Sequence, residues 1–174
     1  VALKLADQGT NLALVARRAE KLKEVQKEIL RRHPKLTVSI YPCDITQTPD
    51  LKMTMNKIFV DFKDVHVLLN IAGIWQKVMP LEEISEEVVD AVIDTNLKAL
   101  IHCVRLVLPN LKKQKHAAII NVSSRSGVRA QEGQSVYSAS KWGVRGFTEV
   151  LQIDLKETNV RVAGNYQGGT NTQM

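Results

Sequence analysis

Aromatic residues are scarce in this chain, and long hydrophobic runs are missing from it. Phenylalanine, tryptophan and tyrosine together make up 5% of the 174 residues. No basic run is interleaved with such stacking side chains, so we expect no nucleic-acid partner despite a formal net charge of +6. No apolar run approaches the ~20 residues that a membrane span needs. We therefore expect a soluble, cytoplasmic protein without a membrane partner.

Cysteine and histidine are too few and too scattered to predict a metal site. Cys43 and Cys103 lie far apart in the sequence, and neither has other ligand residues at metal-binding spacing around it. We expect both to be reduced, buried thiols. The four histidines, which show no pairing motif, are His33, His66, His102 and His116. The basic residues fall mostly on helix faces, which are usually solvated, but an anionic cofactor or acyl carrier stays open as a partner.

Segments with the patterns of strands and helices alternate along the chain. Such alternation predicts a parallel sheet that helices cover on both faces. We expect one domain over residues 1–174 with a doubly wound, Rossmann-like α/β fold, in which ligands bind at the carboxyl ends of the strands. The predicted strands are Asn11–Ala16, Thr37–Tyr41, Val65–Leu69, Ala118–Ser123 and Val160–Ala163. The predicted helices are Val1–Gln8, Ala19–Arg32, Thr48–Phe62, Glu86–Lys113 and Ser135–Glu157.

A tyrosine and a lysine stand four residues apart on one of these helices. At this spacing Tyr137 and Lys141 project from one helix face, so an ammonium can lie beside a phenol. The positive charge favours the phenolate, which makes the pair suited to moving a proton. Such a pair is more often a surface feature. The presence of Ser124 at the end of the predicted strand Ala118–Ser123, with small residues between the tyrosine and the lysine, favours an active site.

A serine followed by Tyr-x-x-x-Lys at this distance resembles the short-chain dehydrogenase/reductase family, and the resemblance extends over the whole chain. It implies that Tyr137 acts as general acid to a carbonyl during reduction and as base in reverse. It implies that Ser124 hydrogen-bonds the substrate oxygen and that Lys141 holds the nicotinamide ribose. In the family an asparagine that matches Asn96 interrupts a helix and holds a water that passes protons to the lysine.

The end of the first complete strand predicts which nicotinamide cofactor binds. At this point in a dinucleotide fold, a carboxylate binds the ribose 2′-hydroxyl, whereas a basic residue accepts a 2′-phosphate. The chain has Ala16 here, followed by Arg17 and Arg18, and an arginine fork suits a phosphate. These residues favour NADP(H) over NAD(H). The alternative is simply a basic first turn of the next helix, which the helix dipole disfavours.

Two further strand ends carry residues that match cofactor contacts of the family. Asp44 corresponds to the aspartate beside the adenine ring, with the main chain at Ile45 next to it, although an aspartate here is also a common turn residue. The sequence from Asn70 through Ala72 to Gly73 resembles the family's Asn-Asn-Ala-Gly, with isoleucine in second place. The small residues let the backbone approach the adenosine ribose closely.

The segment after the last strand resembles the nicotinamide-binding segment of the family less closely. Gly168 and Thr172 match the family's glycine and threonine, but Gln167 replaces the usual proline. Without the fixed φ of proline we expect a looser pocket wall here.

The preferred interpretation is an NADP(H)-dependent reductase that acts on a ketone or a 3-oxoacyl group. The loops 74–80 and 125–134 are expected to line the substrate pocket, with Trp75 and Val128 as apolar contacts. The alternative is a non-catalytic cofactor-binding or interaction protein on the same fold. The intact set Asn96, Ser124 and Tyr137 with its lysine disfavours this alternative.

The resemblance also implies a homodimer or homotetramer that forms through two long helices, Glu86–Lys113 and Ser135–Glu157. These helices have more apolar residues than one sheet face should cover, and a two-fold interface would bury them. The apolar residues in question are Val88, Val92, Leu100, Val104, Val144, Phe147, Leu151 and Leu155.

The chain starts in a helix that the family places after its first strand and its Thr-Gly-x-x-x-Gly-x-Gly turn. Neither feature precedes Val1, so we expect an interior part of a longer protein that also lacks at least one helix and strand after Met174. The first strand is central in the doubly wound order, and the pyrophosphate binds at the glycine turn. We therefore expect the sheet to fall into two pieces, and the chain as given to aggregate or to bind NADPH weakly.

Overall fold

The structure is a computed structural model of the chain, and it describes residues 1–168. Strands and helices alternate along the described part, as the sequence predicts. The strands are β1 (Leu12–Ala16), β2 (Val38–Pro42), β3 (Val67–Asn70), β4 (Ala117–Val122) and β5 (Val160–Asn165). The helices are α1 (Ala2–Ala6), α2 (Ala19–Arg32), α3 (Thr48–Phe62), α4 (Glu86–Ile93), α5 (Ala99–Leu111) and α6 (Ser135–Asp154). The chain divides into two compact units, Val1–Asp61 and a second that begins at Phe62.

The first unit contains a parallel sheet of two strands. β1 and β2 pair from Leu12 opposite Val38 to Ala16 opposite Pro42. The core of this unit forms because α1 and α2 place apolar side chains against the strands. Its fully buried members are Ala6, Leu12, Ile29 and Val38. The turn after α1 needs a left-handed residue, and Gly9 provides it with a φ of 79°.

The second unit contains a parallel sheet of three strands in the order β3-β4-β5. The side chains of the central strand β4 alternate between buried and half-buried, as expected of a strand with helices on both faces. α5 packs against β3 and β4, and α6 packs against β4 and β5. The strands therefore pair as two separate sheets, which confirms the predicted split. Whether the chain acts as one domain stays a prediction.

A π-helical turn at Asp94–Lys98 separates α4 from α5, where the sequence predicts one continuous helix over Glu86–Lys113. Asn96 lies in this turn and is fully buried. Its side chain forms hydrogen bonds with a neighbouring loop. A π-helical turn inserted into an α-helix is typical of a functional position. Leu97 of the same turn packs on α6, where a Cβ at Gly143 would come within 2.7 Å of the leucine Cδ2. Because Gly143 has no side chain, the π-helical turn and α6 can approach closely.

Two structured turns and several element boundaries differ from the predictions. Short 3₁₀ turns form at Leu81–Glu83, to which the sequence analysis assigns no element, and at Arg125–Gly127, within a predicted loop. α6 ends at Asp154, three residues before the predicted end at Glu157. Such shifts are ordinary, because helix ends fray and the pattern of apolar residues does not mark them sharply.

The apolar side chains that predict an oligomer interface are mostly buried within the chain itself. The expectation that these side chains need a partner subunit to cover them is therefore wrong for most of them. Helical periodicity identifies a buried face but not what covers it. Val88 is 37% exposed and Phe147 is half-buried, and these two could still reach a partner. The others have an exposed fraction of 8% or less: Val92, Leu100, Val104, Val144, Leu151 and Leu155. The exposed apolar residues of α6 are Trp142, Val150 and Ile153.

Both cysteines are buried, which confirms that prediction. Within residues 1–168, no helix has the length and apolar character needed to cross a membrane.

Candidate active site

A cleft of about 360 Å³ opens in the second unit, at the carboxyl ends of its three strands. This is where ligands bind in open α/β sheets. Loops after β3, β4 and β5 form its walls, together with the first two turns of α6. Five of the residues predicted to form the site line the cleft: Gly73, Ser124, Tyr137, Lys141 and Gly168.

Backbone hydrogen bonds hold the loops after β4 and β5 together. The N–H of Ser123 donates to the carbonyl of Asn165 over 2.7 Å, which extends the strand pairing past the end of β4. The N–H of Arg125 donates to the carbonyl of Gln167 over 2.9 Å. Gln167, which replaces the family proline, is therefore hydrogen-bonded to the loop that carries Ser124.

Lys141 is a buried cation, with only 4% of its surface exposed. Its Nζ donates to the carbonyl oxygen of Val122 over 3.1 Å. Burial lowers the pKa of the ammonium to about 8, because the charged form loses its hydration. An ammonium has three N–H donors, and Val122 accepts from only one of them. The remaining donors have no acceptor among the described residues and are available to a ligand.

Tyr137 and Lys141 lie on the same face of α6, as the spacing predicts. The lysine Nζ is 5.8 Å from the centre of the tyrosine ring. Tyr137 is 7% exposed, so the cation acts through an environment with little water, where charges interact more strongly than in bulk solvent. The arrangement places the ammonium beside the phenol ring within the cleft.

Ser124 begins the 3₁₀ turn at Arg125–Gly127 and caps it. Its Oγ accepts a hydrogen bond of 3.1 Å from the N–H of Ser126. This contact uses the serine oxygen as an acceptor, and no described residue accepts the hydroxyl proton. Ser124 can therefore donate to an oxygen atom in the cleft.

Gly127 allows this turn to pack directly on α6. A Cβ at position 127 would lie 2.5 Å from the Oγ of Ser123 and 2.7 Å from the carbonyl oxygen of Lys141. The same Ser123 hydroxyl donates to the Lys141 carbonyl over 2.9 Å. The serine turn and the lysine are thus held in contact through backbone atoms, where any larger residue would force them apart.

Asn96 binds the backbone of the loop after β3 with both ends of its amide. Its Oδ1 accepts from the N–H of Ile74 over 2.8 Å, and its Nδ2 donates to the Ile74 carbonyl over 2.9 Å. Nδ2 also lies 3.1 Å from the Oγ of Ser140, one turn from Tyr137 on α6. Asn96 therefore connects the loop to α6. Its predicted role in holding a water stays a prediction.

Asn70 does not line the cleft, although the sequence analysis includes it among the cofactor contacts. Its side chain is 9% exposed and donates to Asn121 of β4 over 2.9 Å. Asn121 in turn donates to the hydroxyl of Thr148 on α6 over 3.0 Å. These buried amides connect the two strands and the helix below the site. Ala72 is also absent from the lining and is exposed.

The remaining predicted cofactor contacts belong to the first unit. Arg17 and Arg18 follow β1 and are exposed. Asp44 follows β2, and its carboxylate accepts from both the hydroxyl and the N–H of Thr46, over 2.7 Å and 3.0 Å. These bonds, followed by the charge of Arg17, hold the pKa of Asp44 below its ordinary value. Ile45 lies half-buried beside it. The turn interpretation of Asp44 thus has direct structural support.

Two apolar residues, Val128 and Trp75, are predicted to contact the substrate, and only one of them lines the cleft. Val128 is 37% exposed and does not line the cleft. Trp75 does line it, as predicted. Thr172 lies outside the described residues.

Gln76 contacts the predicted site but is not singled out by the sequence analysis. It is 1% exposed, and its Oε1 accepts from the backbone N–H of Tyr137 over 2.7 Å. No local signal could identify it, because its two partners are distant in sequence. Gln134, at the start of α6, is a second such residue and accepts from the hydroxyl of Ser126 over 3.2 Å.

Comparison with known proteins gives matches to one family of oxidoreductases. A family model described as short chain dehydrogenase matches residues 1–174. An uncharacterized oxidoreductase of Listeria innocua is 33% identical over 175 residues, covering 99% of this chain and 69% of that protein. The 3-oxoacyl-acyl-carrier-protein reductase of Thermotoga maritima is 35% identical over 137 residues, covering 79% of this chain and 55% of the relative.

The fold has close counterparts among solved structures. A metagenomic short-chain oxidoreductase in complex with NADP superposes with a TM-score of 0.89 and 30% sequence identity. The match covers 97% of this chain and 75% of that one. The doubly wound α/β fold class predicted from the sequence is confirmed by this similarity.

Proposed function

Because the chain belongs to the short-chain dehydrogenase family, we propose that it reduces a carbonyl group to an alcohol with NADP(H), using Tyr137 as the general acid. One observation supports this proposal above the others. Among the residues known to line the cleft, none is an aspartate or a glutamate. The lining does contain a phenol beside an ammonium, because the Nζ of Lys141 lies 5.8 Å from the centre of the Tyr137 ring.

The residues of the cleft divide the work of reduction between them. The hydroxyl of Ser124 donates to the substrate carbonyl oxygen and stabilises the negative charge that develops there. Tyr137 then transfers its phenolic proton to that oxygen, which completes the alcohol. Lys141 stabilises the resulting phenolate by its charge. In the reverse direction the phenolate takes the proton back from the alcohol.

A nicotinamide cofactor, when bound, would supply the hydride for the carbonyl carbon. The donors of the cleft suit its ribose, because Lys141 has two N–H groups left after its bond to Val122. Gly73 supports the same assignment: a Cβ there would come within 3.2 Å of Asn96 Oδ1 and 3.3 Å of Lys141 Nζ. The glycine therefore keeps open the space beside the ammonium that a ribose hydroxyl would enter.

We propose NADP(H) rather than NAD(H) on the basis of the first unit. Arg17 and Arg18 place two exposed guanidinium groups at the end of β1, where a 2′-phosphate binds in dinucleotide folds. The metagenomic relative described above is an NADP complex, which supports the same choice.

The substrate we propose is a ketone or a 3-oxoacyl group, in line with the Thermotoga reductase. Trp75 and Ile74 give the cleft an apolar wall that suits an alkyl or acyl chain. We also propose a homo-oligomer, as expected from the family. A cytoplasmic location stays a prediction.

NADPH oxidation by the full-length protein, across a panel of ketones, 3-oxoacyl thioesters and aldehydes, tests the proposal. We expect turnover of at least one ketone or thioester, and loss of that turnover in Tyr137→Phe. NADPH binding without turnover of any panel member would instead favour the alternative, a cofactor-binding protein without catalysis.

A further inference from the structure

Gln76 is a buried polar residue that the proposed mechanism does not use. It follows Trp75 in the loop after β3. Its Oε1 accepts a hydrogen bond of 2.7 Å from the backbone N–H of Tyr137, and its Nε2 donates to the carbonyl oxygen of Gly133 over 3.3 Å. The first partner can only donate and the second can only accept, so the two contacts define the orientation of the amide. Both ends of one glutamine hold the segment that leads into Tyr137.

The contact with Tyr137 caps α6 from outside the helix. Tyr137 is the third residue of α6, so its N–H has no partner inside the helix. Such a donor is usually satisfied by the side chain of the N-cap residue. Gln134 occupies that position and makes no side-chain capping bond. Gln76 supplies the acceptor instead, across 61 residues of sequence.

Further contacts join the same two segments. The N–H of Met79 also donates to the carbonyl of Gly133, over 3.2 Å. Gly133 has a φ of 64°, and a Cβ there would lie 2.6 Å from the Cγ1 of Val78. The backbone of Gly133 therefore packs tightly on residues 76–79. The loop after β3 and the entry to α6 form one connected piece of structure.

We propose that Gln76 is a positioning residue for Tyr137. Its carbonyl fixes the first turn of α6, and this turn sets the place of the phenol relative to the substrate oxygen. The neighbouring Trp75 lines the cleft, so the loop that contacts substrate also holds the general acid in place. The inference rests on the proposed function, because it assigns a role in proton transfer by Tyr137.

Gln76→Met tests this role, because methionine keeps the length and volume of the side chain and removes both polar contacts. A displacement of catalytic groups by about 1 Å can cost about a hundredfold in rate. We expect kcat to fall by at least about tenfold. We expect the Kd of NADPH to stay within about threefold, because Gln76 touches none of the proposed cofactor contacts except through Tyr137.

A double-mutant cycle separates positioning from a general loss of structure. If Gln76 acts through Tyr137, Gln76→Met should change the residual kcat of Tyr137→Phe by less than about twofold. An equal fractional loss in both backgrounds would contradict the proposal. Gln152→Met is the matched control, since it removes a 3.1 Å bond to the carbonyl of Val162 from the far end of the same helix. It should leave kcat unchanged.

The outcomes distinguish this inference from the proposed function. If Tyr137→Phe is inactive but Gln76→Met keeps kcat within about threefold of wild type, the positioning role fails and the proposed function stands. If Tyr137→Phe remains active, the proposed function itself fails.

A second variant keeps the test decisive if Gln76→Met does not fold. Gln76→Glu keeps an acceptor for the Tyr137 N–H at the N-terminus of α6, where a negative group is stabilised, but loses the donor to the Gly133 carbonyl. We expect this variant to keep kcat within about threefold of wild type. Hydrogen exchange at the Tyr137 amide should stay slow in Gln76→Glu. Fast exchange or a tenfold loss of kcat in this variant would overturn the capping role.

Discussion

In the second unit Lys141 and Asn96 are buried and bonded to neighbouring backbone groups, whereas in the first unit the arginines at the end of β1 are exposed. Lys141 and Asn96 are 4% and 0% exposed, and each contacts a backbone carbonyl or amide of a neighbouring segment. Arg17 and Arg18 are exposed at the end of β1. The difference matches the two proposed tasks, because proton transfer requires fixed geometry, whereas attraction of a phosphate requires accessible charge.

Lys141→Ala should have the largest effect among variants that probe this contrast. The change removes both the charge beside Tyr137 and the donors available to a ribose. We expect kcat to fall by about a hundredfold or more and the Kd of NADPH to rise by about tenfold. Steady-state kinetics and cofactor titration measure both. Lys98→Ala is the matched control, because that lysine is exposed in an ion pair with Asp94 and should have little effect. Normal kcat in Lys141→Ala would contradict the role of the buried cation.

Arg17→Asp should affect cofactor choice and leave the chemistry intact. It places a carboxylate where the 2′-phosphate, with nearly two negative charges, would bind. We expect the ratio of kcat/KM for NADPH to that for NADH to fall by at least about tenfold. Arg31→Asp makes the same change of charge at the far end of α2 and should leave the ratio unchanged. An unchanged ratio in Arg17→Asp would remove this residue from the site and direct attention to Arg18.

Two glycines of the second unit allow a matched test of close packing. Gly127→Ala should destabilise the protein by about 1–3 kcal/mol, because the new Cβ overlaps Ser123 and the Lys141 backbone. Gly146→Ala lies within α6 with nothing within 4 Å of its Cβ, so it should stabilise by up to about 1 kcal/mol. Urea unfolding measures both. Equal effects of the same sign would show that the serine turn does not depend on this contact.

The burial of Lys141 should also appear in the pH dependence of stability. Its pKa is about 8 in the folded protein and 10.5 when exposed, so between these values the unfolded chain holds more protons. The contribution of this group to the free energy of unfolding therefore rises with pH across that window. Wild type should gain stability from pH 8 to 10 relative to Lys141→Met. If the two proteins change in parallel, Lys141 is not buried as a titrating group.

The sequence predicts the pairing of Tyr137 with Lys141 and most of the element order because these depend on local patterns. Tyr137 and Lys141 come together through the geometry of a single helix, and the strand ends follow from alternation of strands and helices. Gln76 is different, because its partner is far away in the sequence and only the fold brings them together. The π-helical turn at Asn96 likewise depends on bonds to another loop. The sequence also predicts that the apolar residues of the two long helices are covered, but it assigns them to a second subunit. Most are buried within the chain instead, because helical periodicity does not identify the surface that covers an apolar face.

The most direct test of the account is kcat of Tyr137→Phe together with its affinity for NADPH. Phenylalanine keeps the ring, its packing and the backbone contact with Gln76, and it removes only the proton donor. We predict that kcat falls at least about a hundredfold, which is the low end of what general acid catalysis contributes, while the Kd of NADPH stays within a few-fold. A Tyr137→Phe protein with more than about a hundredth of wild-type kcat would contradict the assignment of Tyr137 as general acid.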